Sequence, residues 1–392
     1  MKKLLLIISI AFSIHANAQW VQQTSGTSVN LSSIFFPTPV KGYSLQDDGL
    51  MNKTSNGGSN WGIASTYQSM VGQLFFTSAD TGFATSASGV RKTVNGGISW
   101  QNNFPDSVNI LSIHFPTSNI GYALGTNLTY DTLYIYKTIN GGNSWFSVYT
   151  QLSSGYPTYV FFTDPSTGFI SLSDGIYKTT DGGVTLTKKS IATIINCIHF
   201  PSANVGYAVG DSLFKTVDAG ETWTIQANPN SALFFSTYFL NDNYGYACGG
   251  NNWNSGLIEK TVDGGVNWTI DLSSIQIIHS LSFPNSNTGY ACGTGGVIYK
   301  LTTSNGITEA LDATTLTLSP NPVTNQLTIT SQKAALKEIK IMNSLGQCML
   351  ASTPLGGGKE GLVDMSSLAN GIYFIQLTDE NKNVINKKII KE

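Results

Sequence analysis

The sequence predicts an all-β protein, with a seven-bladed β-propeller followed by a small immunoglobulin-like β-sandwich. Two observations predict the propeller. A Gly-aromatic pair recurs seven times at intervals of 38 to 47 residues, and short segments of alternating polarity accompany each copy. A third observation predicts the sandwich, because beyond residue 315 the repeat stops while short alternating segments continue between Gly, Pro and Asn residues.

The first strand of each repeat is defined by its spacing from the Gly-aromatic pair. The pairs are Gly42-Tyr43, Gly82-Phe83, Gly121-Tyr122, Gly168-Phe169, Gly206-Tyr207, Gly245-Tyr246 and Gly289-Tyr290. A phenylalanine stands six residues before each of these glycines, as Phe36, Phe76, Phe115, Phe162, Phe200, Phe239 and Phe283. Apolar residues alternate here and most residues between them are apolar too, which is typical of a strand buried on both faces. Such a strand belongs to a sheet that is packed between two other sheets.

A polar turn separates the third and fourth strands of each repeat. It reads Thr-x-Asn/Asp-x-Gly-x-x-Trp in five copies, and in a sixth Leu186 replaces the tryptophan. Asn and Asp before Gly favour tight hairpins, because both residue types tolerate positive φ and the Asx side chain bonds the turn backbone. We therefore predict a structural role for the six Asx residues, which are Asn56, Asn95, Asn140, Asp181, Asp218 and Asp263.

The seventh repeat lacks its own tryptophan, and the N-terminal segment supplies a replacement. Trp20 lies 22 residues before Gly42, a spacing that matches the tryptophans of the other repeats. We expect a strand from about residue 20 to 24 to complete blade seven beside residues 297–300. Four strands in each of seven repeats then form a closed ring, with the propeller spanning residues 19–305.

These motifs resemble those of a known family over about residues 20–305. The polar turn is similar to the Asp-box of BNR-repeat proteins, and the whole unit resembles propellers of the photosystem II assembly-factor-like family. The resemblance implies a propeller in which the Asp-box is a structural hairpin away from the binding face.

The N-terminus has the pattern of an export signal, which we assign to residues 1–18. Lys2 and Lys3 precede an apolar run over residues 4–14, and a small-x-small cleavage site ends at Ala18. This run of eleven residues, two of them serine, is too short to span a membrane, which takes about 20 apolar residues. We expect a mature chain that begins at Gln19 and has no transmembrane segment.

The C-terminal region begins after a linker over residues 306–315. Its short alternating segments alone predict only a β-sandwich. Its motifs resemble the type A C-terminal sorting domain of the Bacteroidetes type IX secretion system, over about residues 316–392. The matching residues are Pro320, Asn321, Pro322, Gly346, Gly371, Tyr373, Lys387 and Lys388. The resemblance implies handling by the outer-membrane translocon and a location at the outer-membrane surface or outside the cell.

Composition excludes several functions. Charged residues make up 11% of the chain, so a basic patch for nucleic acid is not expected. Arg91 is the sole arginine, whereas sialidases, as a family, need three to hold the substrate carboxylate. The imidazoles of His114, His199 and His279 are scattered in the repeats, and we expect no metal site and no cofactor. We also expect the four cysteines to be unpaired, buried residues.

The loops carry the remaining candidates for function. Three loops are lengthened, over residues 125–133, 149–159 and 249–255, and the first two should be neighbours. We predict that they bind ligand through Tyr130, Asp131, Tyr156 and Trp253. This favours a non-catalytic binding module for a polysaccharide or a surface protein.

Two alternatives remain open at this point. One is a glycoside hydrolase or lyase, which would use two of the loop carboxylates. The candidate carboxylates are Asp47, Asp48, Asp131, Asp174 and Asp211. The other alternative, by analogy with the resembled family, is an assembly factor for a complex of the cell envelope.

Overall fold

The computed structural model describes most of the chain. The described residues are 18–65, 70–105, 108–152, 155–189, 193–251, 255–303, 316–331, 336–343, 348–352, 360–379 and 384–392. Two compact units divide between Thr303 and Ser304. The predicted linker, and all of the predicted export signal except Ala18, lie outside the described residues.

The first unit consists of seven antiparallel four-stranded sheets, each of which runs from an innermost strand at the centre to an outermost strand. Blade 1 contains Leu31–Phe35, Gly42–Gln46, Met51–Thr54 and Gly62–Ser65, in that order. Blade 2 contains Met70–Phe76, Gly82–Ser86, Gly89–Thr93 and Gln101–Asn102. Blade 3 contains Asn109–His114, Gly121–Thr126, Thr132–Thr138 and Phe146–Leu152. Blade 4 contains Pro157–Phe162, Gly168–Leu172, Gly175–Thr179 and Thr187–Lys189.

The remaining three blades follow the same order. Blade 5 contains Ile195–His199, Gly206–Gly210, Leu213–Thr216 and Thr224–Gln226. Blade 6 contains Leu233–Phe239, Gly245–Asn251, Ser255–Thr261 and Thr269–Ser274. Blade 7 contains Ile278–Asn285, Thr288–Gly293, Ile298–Thr303 and the N-terminal strand Ala18–Gln23. The innermost strands contact one another in sequence, and the first also contacts the seventh, so the ring is closed. The predicted propeller is confirmed.

Neighbouring blades are joined by seven aromatic stacks that account for the spacing in the sequence. Each phenylalanine six residues before a repeat glycine stacks on the aromatic residue of the preceding blade's Gly-aromatic pair, with ring centroids 3.4 to 5.0 Å apart. The stack of Phe36 on Tyr290 joins blade 1 to blade 7. The phenylalanine ring also covers the glycine of its own repeat. A Cβ at Gly42 would collide with the ring of Phe36, which explains why a glycine is required there.

A lysine in each third strand contacts an aromatic ring of its own blade, and in some blades it also contacts the next blade. Its Nζ atom lies 5.2 to 5.9 Å from the centroid of an aromatic ring in all seven blades. In four blades the same Nζ donates a hydrogen bond to a backbone carbonyl in the turn of the next blade, the donors being Lys53, Lys178, Lys215 and Lys300.

The six Asx residues of the polar turns bond their own turns. The side-chain oxygen of Asn56 accepts a hydrogen bond from the Asn60 N–H at 2.9 Å, and the hydroxyl of Thr54 accepts one from the Gly58 N–H at 3.0 Å. The other five turns repeat both bonds at 2.9 to 3.0 Å. Backbone bonds such as Gly57 N–H to Val40 O tie each turn to the loop between the first and second strands. These turns therefore lie at one end of the propeller.

Ring closure depends on the N-terminal strand. Trp20 lies opposite Leu301 in the antiparallel pairing with the third strand of blade 7. Its ring meets Phe283 edge-on at 6.2 Å and 85°, which repeats the arrangement of Trp61 with Phe36 at 5.8 Å and 86°. Its Nε1 donates to the Asp271 carboxylate at 2.9 Å, which also ties blade 7 to blade 6.

The second unit is a small β-sandwich, as the sequence predicts. One sheet contains Leu316–Ser319, Gln326–Ser331 and Glu360–Asp364. The other contains Cys348–Ser352, Leu336–Met342, Gly371–Asp379 and Val384–Lys391. An aliphatic core lies within this unit, with Ile329, Ile341 and Ile375 fully buried.

The predicted sorting-domain residues concentrate around the last strand of the sandwich. The Asn321 side chain, between Pro320 and Pro322, accepts a hydrogen bond from the Ile390 N–H at 2.9 Å. Lys387 and Lys388 belong to the last strand itself. Gly371 begins the strand before it, and the Tyr373 hydroxyl donates to the Ala369 carbonyl at 2.9 Å. Gly346 lies outside the described residues. Within the described chain, we find no helix with the length and hydrophobicity needed to cross a membrane.

Candidate binding face

We call the end of the propeller opposite the Asp-box turns the loop face. It contains the loops between second and third strands and the loops between consecutive blades. Backbone bonds join these two kinds of loop, for example Ser173 N–H to Tyr156 O at 2.8 Å and Asp47 N–H to Asn30 O at 3.0 Å. The described parts of the three lengthened loops of the sequence lie at this end of the propeller.

Two predicted ligand-binding residues, Tyr130 and Tyr156, come together on the loop face. Their ring centroids lie 5.6 Å apart at an interplanar angle of 43°, although they belong to blade 3 and to the loop before blade 4. The two side chains are 52% and 45% exposed. Large aromatic side chains lose much of their contact with water in most folds, so an exposed pair offers area for a ligand. We call this pair the tyrosine platform.

The loop that carries Tyr130 is held by its own hydrogen bonds. The Asn127 side-chain oxygen accepts bonds from the N–H groups of Asp131 and Thr132 at 3.1 and 3.2 Å, and Tyr130 N–H donates to Asn127 O at 3.1 Å. Tyr130 itself has a φ of 60°, a left-handed conformation that costs a non-glycine residue about 1 kcal/mol or more. These bonds hold Tyr130 in that conformation.

Asp131 supports the platform from within the loop. Its carboxylate accepts hydrogen bonds from the hydroxyls of Thr132 at 2.8 Å and Thr129 at 2.9 Å, and from the Asn127 amide at 2.6 Å. These bonds, with that from Thr132 the largest contribution, lower the pKa of Asp131. Asp131 is therefore anionic at neutral pH and stabilises the turn that presents Tyr130.

Two exposed leucines flank the platform, and sequence reasoning missed them. Leu128 is 70% exposed in the same loop as Tyr130. Leu152 is 83% exposed and pairs with Thr132 at the same end of blade 3. Exposed apolar area of this kind marks interaction sites when it is contiguous. The signal available in the sequence was Leu128 in an otherwise polar loop, whereas Leu152 is the last residue of a strand.

A polar group on the next blade adjoins the platform through Tyr156. The Tyr156 N–H donates to the hydroxyl of Ser173 at 2.9 Å. The next residue, Asp174, forms an ion pair with Lys188 at 2.6 Å and accepts a hydrogen bond from the Tyr177 hydroxyl at 2.9 Å. Trp253, the fourth predicted ligand-binding residue, lies outside the described residues.

The other candidate loop carboxylates form separate local contacts. Asp47 accepts a hydrogen bond from Asn30 at 3.2 Å, Asp48 accepts one from the Leu50 N–H at 3.0 Å, and Asp211 accepts one from Thr193 at 3.1 Å. Asp131 and Asp174 are bonded as described above. Each of the five carboxylates is therefore engaged by groups of its own loop, its own blade or the adjoining loop.

A fully buried carboxyl group, Glu259, was not anticipated from the sequence. It lies in the third strand of blade 6, and its Oε1 accepts a hydrogen bond from the Asn230 amide at 2.5 Å. Burial raises its pKa above the usual value. The Asn251 amide donates to the Asn230 carbonyl at 3.0 Å. Glu259 thus belongs to a buried polar cluster that braces the loop before blade 6.

The histidines of the first strands are bonded across blades. Nδ1 of His114 accepts the Phe162 N–H at 3.2 Å, and Nδ1 of His199 accepts the Phe239 N–H at 3.3 Å. Burial lowers the pKa of His114 to about 3 and that of His199 to about 4. Both imidazoles are therefore neutral at physiological pH.

The described cysteines and acidic residues provide no metal-binding cluster. Cys197, Cys248 and Cys292 are buried free thiols, and burial raises the pKa of each. Among the residues that the structure describes, no three or more His, Cys, Asp or Glu side chains are grouped so that they could hold a metal ion.

Comparison with known proteins identifies the C-terminal unit. Residues 317–392 match the family described as the secretion system C-terminal sorting domain. The match indicates export through the type IX secretion system, to the cell surface or out of the cell. No curated protein matches the chain.

Solved structures share the propeller fold. YCF48 from Cyanidioschyzon merolae is 19% identical with a TM-score of 0.60, over 74% of this chain and 100% of that one. YCF48 bound to D1 peptide is 16% identical with a TM-score of 0.59, over 73% and 96% of the two chains. The GH74 enzyme of Niastella koreensis is 16% identical with a TM-score of 0.58, over 94% of this chain and 74% of that one. These likenesses confirm the fold, which both non-enzymes and an enzyme adopt.

Proposed function

We propose that this chain is an exported, non-catalytic binding module whose tyrosine platform contacts a protein outside the cell. The observation that carries the proposal is the exposed pair of Tyr130 and Tyr156, held together by loops from consecutive blades. Loops on a rigid scaffold are the usual location of recognition residues, and tyrosine is enriched among the residues that dominate binding energy.

The geometry of the platform favours a protein over a glycan. The rings of Tyr130 and Tyr156 are tilted by 43°, so they form a shallow cleft instead of one flat surface for a sugar ring. Leu128 and Leu152 extend the same area with aliphatic surface. A cleft with aliphatic edges suits an apolar side chain from a partner. The similar propeller YCF48, solved with a bound D1 peptide, offers a precedent for peptide binding on this fold.

Binding arrays test the proposal directly. The full-length protein is applied to arrays of cell-surface proteins and glycans beside a double variant, Tyr130→Ala with Tyr156→Ala. We expect at least one protein hit that weakens about tenfold or more in the double variant, because two central aromatic contacts are lost. Phe146→Ala is the matched control, since Phe146 is 46% exposed on an outer strand. An absence of protein hits, or hits that the double variant retains, would refute the proposal.

Catalysis by the loop carboxylates is the competing function. Turnover of any member of a polysaccharide panel, abolished by an Asp→Asn change at one of the five candidate positions, would replace the binding proposal. The engagement of each carboxylate by groups of its own loop, blade or adjoining loop speaks against it, because glycosidases need two carboxyl groups facing a common substrate. A third function, assembly of an envelope complex, would give a stable membrane complex in a pull-down that depends on the tyrosine platform.

A further inference from the structure

The innermost strands of the propeller surround a cavity of about 470 Å³. In each blade, its lining includes the residue directly before the phenylalanine that stacks on the preceding blade. At these positions blades 1 to 6 carry Phe35, Phe75, His114, Phe161, His199 and Tyr238, whereas blade 7 carries Ser282. We call the six rings the aromatic collar.

The collar is continuous around six blades and accessible from the cavity. Successive rings lie 4.4 to 5.9 Å apart from Phe35 to Tyr238. All six side chains are partly exposed, although they lie in the middle of the unit. Except for the partly buried Phe200, the residues on either side of them in the chain are buried, as with Ile34 and Phe36 at 2% and 3% exposure. The exposed area of the collar therefore faces the cavity.

The hydrogen-bonding groups of the cavity wall are neutral. Because Nδ1 of His114 and of His199 accepts a backbone N–H, the proton of each neutral imidazole resides on Nε2, which is a donor. Tyr238 adds a hydroxyl, and no Lys, Arg, Asp or Glu is among the described residues that line the cavity. A charged ligand would lose its hydration here without an ion pair, so the wall selects against charge.

Ser282 contributes no ring, so the collar has a gap at blade 7. Its side chain nevertheless accepts a backbone N–H from the next blade, as the two histidines do. Its hydroxyl accepts the Phe36 N–H at 2.9 Å, as the imidazoles of blades 3 and 5 do for Phe162 and Phe239. The small side chain leaves the blade 7 side of the cavity without a ring, across from the rings of His114 and Phe161 in blades 3 and 4. A bicyclic molecule in the cavity would meet aromatic surface on its faces and an imidazole N–H at its edge.

We propose that the central cavity is a second binding site, for a small, uncharged, planar aromatic molecule that carries a hydrogen-bond acceptor. The aromatic collar supplies stacking surface, the Nε2–H groups supply donors, and the gap at Ser282 supplies room. The cavity volume lies within the range of small-molecule pockets. This site is separate from the tyrosine platform and does not depend on it.

The chain itself suggests the variants for the test. Ser282→His places at the gap the side chain that blades 3 and 5 already use, so the acceptor for the Phe36 N–H is kept while the gap is filled. His114→Ser is the reciprocal change, which keeps an acceptor for the Phe162 N–H and removes a ring and a donor. Tyr130→Ala with Tyr156→Ala is the control, because it alters only the platform. Thermal unfolding of each variant establishes that it is folded.

The probe is 7-methoxycoumarin, an uncharged bicyclic lactone, titrated into the full-length protein and followed by fluorescence and calorimetry. We expect saturable binding of one molecule per chain, weakened about tenfold or more in Ser282→His and in His114→Ser and unchanged in the platform variant. A wild-type protein that shows no saturable binding would overturn the proposal. Equal affinity in wild type and both cavity variants, or a loss confined to the platform variant, would also overturn it.

Discussion

Acidification should destabilise the propeller through His114 and His199. Each imidazole accepts a backbone N–H through Nδ1, so a proton on Nδ1 would place two donors against each other. The folded-state pKa values of about 3 and about 4 lie below the ordinary value of 6.5. At pH values between the folded-state pKa and 6.5, these two imidazoles are therefore protonated in the unfolded chain but neutral in the folded chain. The stability from these groups is complete above pH 6.5 and is lost as the pH falls toward 4.

The size of the effect follows from the pKa shifts. As the pH falls from 6.5 to 4.5, each imidazole that stays neutral in the folded state lowers the free energy of unfolding by up to about 1.4 kcal/mol per pH unit. Two such groups give an upper limit of about 5 kcal/mol. The rings are partly exposed to the central cavity, and solvent there reduces the penalty for charge. We therefore expect a loss of about 2 to 3 kcal/mol from the histidines.

Urea unfolding followed by tryptophan fluorescence measures this loss at pH 7.0 and pH 4.5. The comparison is with a variant that carries His114→Ser and His199→Ser, since blade 7 shows serine in the same role. Carboxylates titrate alike in both proteins. The loss of unfolding free energy in the wild type minus the loss in the variant therefore gives the contribution of the two imidazoles. Equal losses in the two proteins would refute the assignment of acid sensitivity to these histidines.

Three further predictions concern ring closure, the polar turns and export. Trp20→Ala should lower the free energy of unfolding by about 3 to 5 kcal/mol, as expected for a buried tryptophan, whereas Gln22→Ala, which changes an exposed side chain of the same strand, should leave it unchanged. Asn140→Ala should cost about 1 kcal/mol in the same urea assay, and Asn140→Asp should cost less because other turns carry Asp there. Deletion of residues 316–392 should retain the propeller in the periplasm on cell fractionation, and unchanged surface display would contradict the sorting role.

The propeller could be predicted because its contacts repeat with the sequence. The stack of Phe36 on Tyr290 and its six equivalents each require one phenylalanine and one aromatic residue at a fixed separation. A contact made seven times leaves the same pattern seven times. The spacing of Trp20 was informative for the same reason, since it occupies a position that five other blades fill with tryptophan.

The binding face could be predicted only in part. Loop lengths pointed to Tyr130 and Tyr156, because consecutive blades are neighbours in space. The exposure of Leu152 depends on where its strand ends relative to the loop beside it, which periodicity does not report. Alternation along the first strands also gives no sign that one set of side chains reaches a central cavity. The burial of Glu259 likewise follows from the packing of a loop, not from its own strand.

The lysine contacts between blades have a consequence for the protein's response to salt. Lys215 and Lys300 each place an ammonium group over an aromatic ring and donate to a peptide carbonyl of the next blade. Ion pairs between exposed charges weaken as ionic strength rises, because mobile counterions screen them. A cation held by a ring face and a carbonyl dipole at short range does not depend on an opposite charge that salt can screen. These contacts should therefore hold blade 5 to blade 6 and blade 7 to blade 1 in dilute and in concentrated salt alike, which suits a protein whose surroundings the cell does not control.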